Sequence, residues 1–198
     1  MCGGKSHRMG QPKHLLPFGN ECLLQRVVGV LTPLSKTTCV VAAADQEMPS
    51  LPEEVLVARD EQPDLGPLSG LATGLKRVSE SVEAVYVSSC DAPFLNAAFV
   101  SGLVSQLGDH DIVIVKGERH FHPLAAVYRT RIAGKVCELV DARRLRPIFL
   151  LEECDARVVM EEDMREFDPD LLSLRNMNTP DDYRDALVLA GFEQEQQR

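Results

Sequence analysis

The stretch Ala84-Val85-Tyr86-Val87-Ser88-Ser89-Cys90-Asp91-Ala92-Pro93 decides how the rest of the chain is read. Its first five residues carry no charge and include two β-branched valines and a tyrosine, a run too short for a helix and apolar enough for a strand buried on both faces. Cys90-Asp91-Ala92-Pro93 follows at once, and Pro93 cannot extend a hydrogen-bonded ladder. One carboxylate is thereby set just past the carboxyl end of a strand, where open α/β sheets bind their ligands. The plainer alternative is an aspartate that caps the turn before Pro93.

Working outward, Cys39-Val40-Val41-Ala42 and Val55-Leu56-Val57-Ala58 are short apolar runs of the same kind. Between the second of these and Ala84, Pro67 precedes Leu68, Leu71, Leu75 and Val78 on one face, which predicts a helix over 67–78. Leu23, Leu24, Val27, Val28 and Leu31 predict another over 23–34, with Asn20 as its cap. Helices that alternate with such strands call for a parallel sheet covered on both sides. In the second half, Ile112-Val113-Ile114-Val115 and Leu124-Ala125-Ala126-Val127-Tyr128 read as strands joined by the polar stretch 116–122, paired antiparallel at an edge of the sheet. Helices over 132–140 and 148–153, a strand over 157–160 and a helix over 180–190 complete the pattern. The expected fold is a single three-layer α/β domain of nucleotide-binding (Rossmann-like) type over residues 1–192, with a mainly parallel sheet, an antiparallel edge portion and a polar tail at 193–198.

With 198 residues, 44% of them hydrophobic, the chain can bury one substantial core. A net charge of −9 offers no reservoir of positive charge for a nucleic-acid backbone, so no nucleic-acid partner is expected. The six cysteines (Cys2, Cys22, Cys39, Cys90, Cys137 and Cys154) form no C-x-x-C pair and fit reduced thiols better than a zinc site or a disulfide framework. No stretch approaches the roughly 20 apolar residues that span a bilayer, and the first residues lack an apolar signal region. No membrane partner is expected, and a cytoplasmic location is.

The chemistry gathers at the start. Gly3-Gly4-Lys5-Ser6-His7-Arg8-Met9-Gly10-Gln11-Pro12-Lys13 combines three glycines, whose bare backbone lets N–H groups converge on phosphate oxygens, with Arg8 and Lys13 for charge-assisted bonds. A flexible, unspecific leader has the same composition. Gly4-Lys5-Ser6 is not the end of a P-loop, because Met9-Gly10-Gln11-Pro12 would break the helix that must follow. Asp91 is a hard oxygen ligand suited to Mg²⁺, which takes one or two carboxylates plus substrate phosphates. Asp60 falls two residues past an apolar run, at an equivalent height. His120 and His122 are two apart without a third ligand nearby, and Asn176 and Asn178 precede a helix start, where capping is their simplest role.

In order along the chain, these segments resemble the molybdenum cofactor guanylyltransferase family: the loop from Gly3 to Lys13, Asp64-Leu65-Gly66-Pro67-Leu68-Ser69-Gly70, Cys90-Asp91-Ala92-Pro93, His122-Pro123-Leu124-Ala125-Ala126-Val127-Tyr128, and Asn176-Met177-Asn178-Thr179-Pro180. The resemblance implies a Mg²⁺-dependent transfer of GMP from GTP to molybdopterin in its molybdenum-loaded form (Mo-molybdopterin), with release of pyrophosphate. It places Met1, Cys2, Gly3, Gly4, Arg8 and Lys13 about the triphosphate, with Asp60, Gly66 and Gly70 near the nucleoside. Asp91 would hold the metal, His122, Asn176 and Asn178 would lie toward the acceptor, and Arg8, Lys13 and Asp91 would carry catalysis. It also implies transient contacts with proteins that deliver and receive the cofactor. Two features depart from the family pattern. The sequence has two residues ahead of Gly3 where an apolar strand is expected, and Ala42-Ala43-Ala44 stands where guanylyl enzymes often present an asparagine to the base. Transfer of CMP to the same acceptor, transfer to a sugar phosphate, and a non-catalytic nucleotide or cofactor carrier are the competing readings.

Overall fold

The computed structural model of the protein describes residues 1–3, 11–60, 62 and 65–192. Gly19, with a φ of 68°, turns a minimal hairpin of β1 (Pro17–Phe18) and β2 (Glu21–Cys22). Asn20 belongs to this hairpin turn, so it does not cap α1 (Leu23–Leu31). That task falls to Cys22, whose N–H donates to the Gln25 side chain at 2.9 Å. The helix stops short of the expected residue 34, and the chain tightens into a 3-10 turn at Thr32–Leu34, because Pro33 has no N–H to donate.

The apolar runs become strands: β3 (Cys39–Ala43), β4 (Leu56–Asp60) and β5 (Ala84–Ser88), with α2 (Pro67–Val78) between the last two. Next come α3 (Ala97–Ser105), β6 (Ile112–Lys116), β7 (Phe121–Arg129), α4 (Ala133–Asp141), α5 (Leu150–Glu153), β8 (Ala156–Met160) and α6 (Pro180–Leu189). The pattern reading above contains no α3. Asn96 begins it by accepting from Phe99 N–H at 2.8 Å, and Phe99, Val100 and Leu103 form its buried stripe.

Strands β3 and β4 pair in parallel, while the other four lie in the order β5-β7-β6-β8. Strand β7 runs antiparallel to both neighbours, and β8 runs parallel to β6. The antiparallel portion is therefore interior, not at the edge as the sequence led one to expect. β7 tolerates the interior because Ala125, Ala126, Val127 and Tyr128 are all buried. Alternation sorts the layers: Ile112 and Ile114 pack with α2 and α4, whereas Val113 and Val115 pack with α1 and α3.

Residues 1 and 2 join the two halves. Met1 N donates to Ser88 C=O at 2.6 Å and Met1 C=O accepts from Cys90 N at 3.0 Å, one rung of a parallel ladder. Cys2 N donates to Val41 C=O at 2.9 Å on the other side. Below this rung, β3 and β5 face each other across a cavity of about 710 Å³ lined by Val40, Val41, Leu75, Tyr86 and Val87. The Tyr86 hydroxyl is buried there without a hydrogen-bond partner among the described residues, and burial raises its pKa. A five-residue apolar extension placed before Met1 matches the length of β5 and should pair with both edges. Each inward apolar side chain contributes about 1.5–3 kcal/mol, and each kcal/mol moves Tm by about 2–4 °C in a chain of this size. The extension should therefore raise Tm by at least about 5 °C in a thermal melt, and an unchanged Tm would show that the gap does not accept a strand.

Candidate active site

The parallel strands bring Ala43, Asp60 and Ser88 to one end of the sheet, and antiparallel β7 begins there with Phe121 and His122. Asp91 follows β5 by three residues and is only 9% exposed. Lys13 Nζ donates to Asp91 Oδ2 at 2.7 Å and to Asn178 Oδ1 at 3.1 Å. The third segment is tied in through backbone, with Met177 N donating to Asp91 C=O at 2.9 Å, while Ser89 Oγ reaches Asn176 Oδ1 at 3.4 Å. Capping is not what the asparagines do: Thr179 caps α6, with Asp182 as its reciprocal partner. Asn178 instead presents its carbonyl oxygen to Lys13.

Asp91 Oδ1 is buried with no hydrogen-bond partner among the described residues. Such an oxygen forgoes hydration, at a cost of roughly 1–3 kcal/mol or more for a charged group, and a hard cation would satisfy it. No group of three or more His, Cys, Asp or Glu suited to a metal occurs among the described residues. A single carboxylate oxygen fits Mg²⁺ or Mn²⁺ completed by substrate phosphates and water, and does not fit a cation held by the protein alone.

The polar groups of Met1 and Cys2 turn toward the protein. Their N–H groups serve Ser88 and Val41, the Cys2 carbonyl accepts from Gln46 at 2.8 Å, and Cys2 Sγ lies 3.3 Å from the Val41 carbonyl. The first residue with an exposed face is Gly3, where an added Cβ would meet only Ala43 N at 3.7 Å. Gly4 and Arg8 lie outside the described residues.

Asp60 is the last residue of β4, not a loop residue beyond it, and its Oδ1 accepts from Ser69 Oγ at 3.0 Å and from Gln62 N at 3.1 Å. It thus ties the second glycine loop to the sheet. Gly66 opens α2 at φ 75°, a conformation that disfavours side chains. At Gly70 an added Cβ would come within 2.5 Å of the Met1 methyl, the far end of a flexible side chain that can shift. Arg143, which the sequence reading did not single out, holds a left-handed φ of 60° and shares a cavity of about 390 Å³ with Gln62 and Leu65 of this loop. The signal available in the sequence was a pair of arginines directly after a predicted helix in an acidic chain.

His122 sits in β7 opposite Val115, with its Nε2 buried, without a hydrogen-bond partner among the described residues and 4.0 Å from Glu161 Oε2. Its ring lies 4.7 Å from that of His120. Burial, reinforced by His120, lowers its pKa to about 4. The imidazole is consequently neutral at pH 7.

Known proteins share this architecture. Molybdopterin-guanine dinucleotide biosynthesis protein A of Archaeoglobus fulgidus superposes with a TM-score of 0.78 over 97% of each chain at 22% identity. Rv0371c of Mycobacterium tuberculosis, solved in complex with manganese, superposes with a TM-score of 0.63 over 94% of this chain and 95% of its own at 15% identity. These superpositions show a shared fold. In sequence, a family model for the MobA-like NTP transferase domain matches residues 1–158. A probable molybdenum cofactor guanylyltransferase of Mycobacterium tuberculosis is 36% identical over 167 residues, 82% of each chain. The chain belongs to the MobA-like NTP transferase family, and it is an enzyme of the nucleotidyltransferase class.

Asp91→Asn and Lys13→Gln should each lower turnover by at least about 100-fold while both variants still unfold cooperatively; a wild-type rate in either removes that residue from the mechanism. For His122 the folded pKa is depressed below the unfolded 6.5, so the unfolded state binds the extra proton first. Stability is unaffected above pH 6.5 and falls as the pH drops toward 4, by up to about 3 kcal/mol at 1.36 kcal/mol per pH unit. His122→Gln should flatten that slope in denaturant melts between pH 6.5 and 4.5, and an unaltered slope would refute the assignment.

Proposed function

We propose that the protein transfers GMP from GTP to the terminal phosphate of molybdopterin in its molybdenum-loaded form, releasing pyrophosphate and forming the guanine dinucleotide. The observation that carries this reading is the meeting of Lys13, Asp91 and Asn178 within hydrogen-bond distance at the carboxyl end of the sheet. The name of the 36% identical relative supports the acceptor and the base.

In the reaction an acceptor phosphate oxygen attacks the α-phosphorus of GTP, a P–O bond forms, and the bond to the β-phosphate breaks. The acceptor is already anionic at neutral pH, so no general base is required and alignment carries much of the rate. A divalent cation, Mg²⁺ in this reading, would neutralise charge on the triphosphate when held at Asp91 Oδ1; the manganese in Rv0371c supports the cation class. Lys13 would then exchange part of its bonding with Asp91 for the departing pyrophosphate, with Arg8 assisting and the backbone of Gly3 and Gly4 approaching the phosphates. Met1 and Cys2 act as anchors of that turn. Asp60, Gly66 and Gly70 shape the nucleoside side through α2, and Asn176, Asn178 and His122 line the acceptor side, His122 as a neutral group behind Glu161.

The base is the less constrained choice. The end of β3 carries Ala42, Ala43 and Ala44, and the nearest amide, Gln46, is engaged with Ala43 N, the Cys2 carbonyl and His14. This favours keeping CTP as the second candidate. Pyrophosphate release should be measured with Mg²⁺, Mo-molybdopterin and each of the four nucleoside triphosphates. GTP should exceed CTP by at least about tenfold; release with CTP alone would reassign the base, and release with none would refute nucleotidyl transfer to this acceptor.

A further inference from the structure

One side chain, Gln46, bonds residues on both sides of the glycine-rich stretch, Cys2 and His14. Gln46 lies three residues past β3, and its amide has one oxygen and two N–H donors. All three are used: Oε1 accepts from Ala43 N at 3.0 Å, and Nε2 donates to the Cys2 carbonyl at 2.8 Å and to His14 Nδ1 at 2.8 Å. His14 is 3% exposed, and its Nε2 is 2.7 Å from the Glu47 carbonyl. A carbonyl can only accept, so Nε2 carries the proton and Nδ1 offers the lone pair. One neutral tautomer satisfies both contacts. Arg59 supports the same corner from outside, donating to the Ala43 and Gln46 carbonyls at 3.0 and 2.6 Å.

Cys2 immediately precedes the glycine-rich turn, and His14 immediately follows Lys13. Lys13 itself begins a single 3-10 turn, Lys13–Leu15, whose one buried residue is His14. We infer that Gln46 and His14 form a positioning clamp, which ties the Cys2 backbone to the Lys13–Leu15 turn and holds the Lys13 ammonium over Asp91. Neither clamp residue touches Asp91; both act through Lys13. The proposal rests on the reading of Lys13 as a group that acts on the triphosphate, and it adds a determinant that the glycine pattern does not contain. A bond trio that served packing alone would stabilise the corner without coupling to Lys13.

The test uses the full chain. Q46E preserves shape and the acceptor for Ala43 N but replaces both donors by an acceptor; H14Q is the companion should Q46E fold poorly. In the nucleotide-free protein, amide exchange at Leu15 and Leu16, whose N–H groups bond the Pro12 and Lys13 carbonyls, should accelerate at least about tenfold while β6 and β7 keep their protection. Turnover should fall by roughly 30- to 100-fold, the scale of a displacement near 1 Å, with the KM for GTP changed by less than about threefold. In a Lys13→Gln background, Q46E should lower the residual turnover by less than about threefold, because residues acting as one unit are not additive. Unchanged exchange at Leu15 and Leu16, or a full loss repeated in the Lys13→Gln background, overturns the clamp. If the wild-type protein transfers no nucleotide, the guanylyl-transfer reading falls, and the exchange measurement still decides the clamp.

Discussion

The ion pair between Lys13 and Asp91 is the contact on which the site depends, and it joins residues 78 positions apart. Both side chains are largely buried, at 19% and 12% exposure. Taking two charges out of water costs several kcal/mol for each, and their attraction seldom leaves a large surplus. A pair of this kind is poor evidence for stability and better evidence for use, because the lysine and the carboxylate keep one another ready for a ligand charged like each partner. The Oδ1 of Asp91, without a hydrogen-bond partner among the described residues, and the side chain of Asn178 give the pair a direction: a cation is attracted on one side and a phosphate on the other.

Three separate elements must arrive together for that pair to form. The strand β5 delivers Asp91, the 3-10 turn delivers Lys13, and the segment before α6 delivers Asn178 while Met177 N holds the Asp91 carbonyl. Residues 1 and 2 set β3 and β5 in register by bonding to both. The placement of the Lys13–Leu15 turn draws on side chains as well as on these ladder hydrogen bonds. Gln46 and His14 supply that second constraint.

Much of this was legible in order along the chain. Unbroken apolar runs marked β3, β5 and β6 because strands covered on both faces have no polar side to show, and Pro67 with its leucine stripe fixed α2 from end to end. Asp91 was legible because a strand and a proline bracket it. The misses have a common cause. Asn20, Asn176 and Asn178 are all residue types that cap helices, yet Cys22 and Thr179 do the capping here; composition cannot say which of several competent groups is closest. The stretch ahead of Leu124 looked like loop because it is polar, yet pairing with β6 draws Phe121 and His122 into β7.

The sequence by itself determined the alternation of strands and helices, the end of the sheet at which chemistry would gather, and the residue types available there, since these depend on local periodicity and on chain direction. The tertiary structure alone decided that the antiparallel strand is interior, that Asn178 accepts from Lys13, that the groups of Met1 and Cys2 face inward, and that one glutamine bonds both Cys2 and His14. Those facts concern distances between residues far apart in the chain, and such distances are set by how the layers pack, which no local pattern encodes.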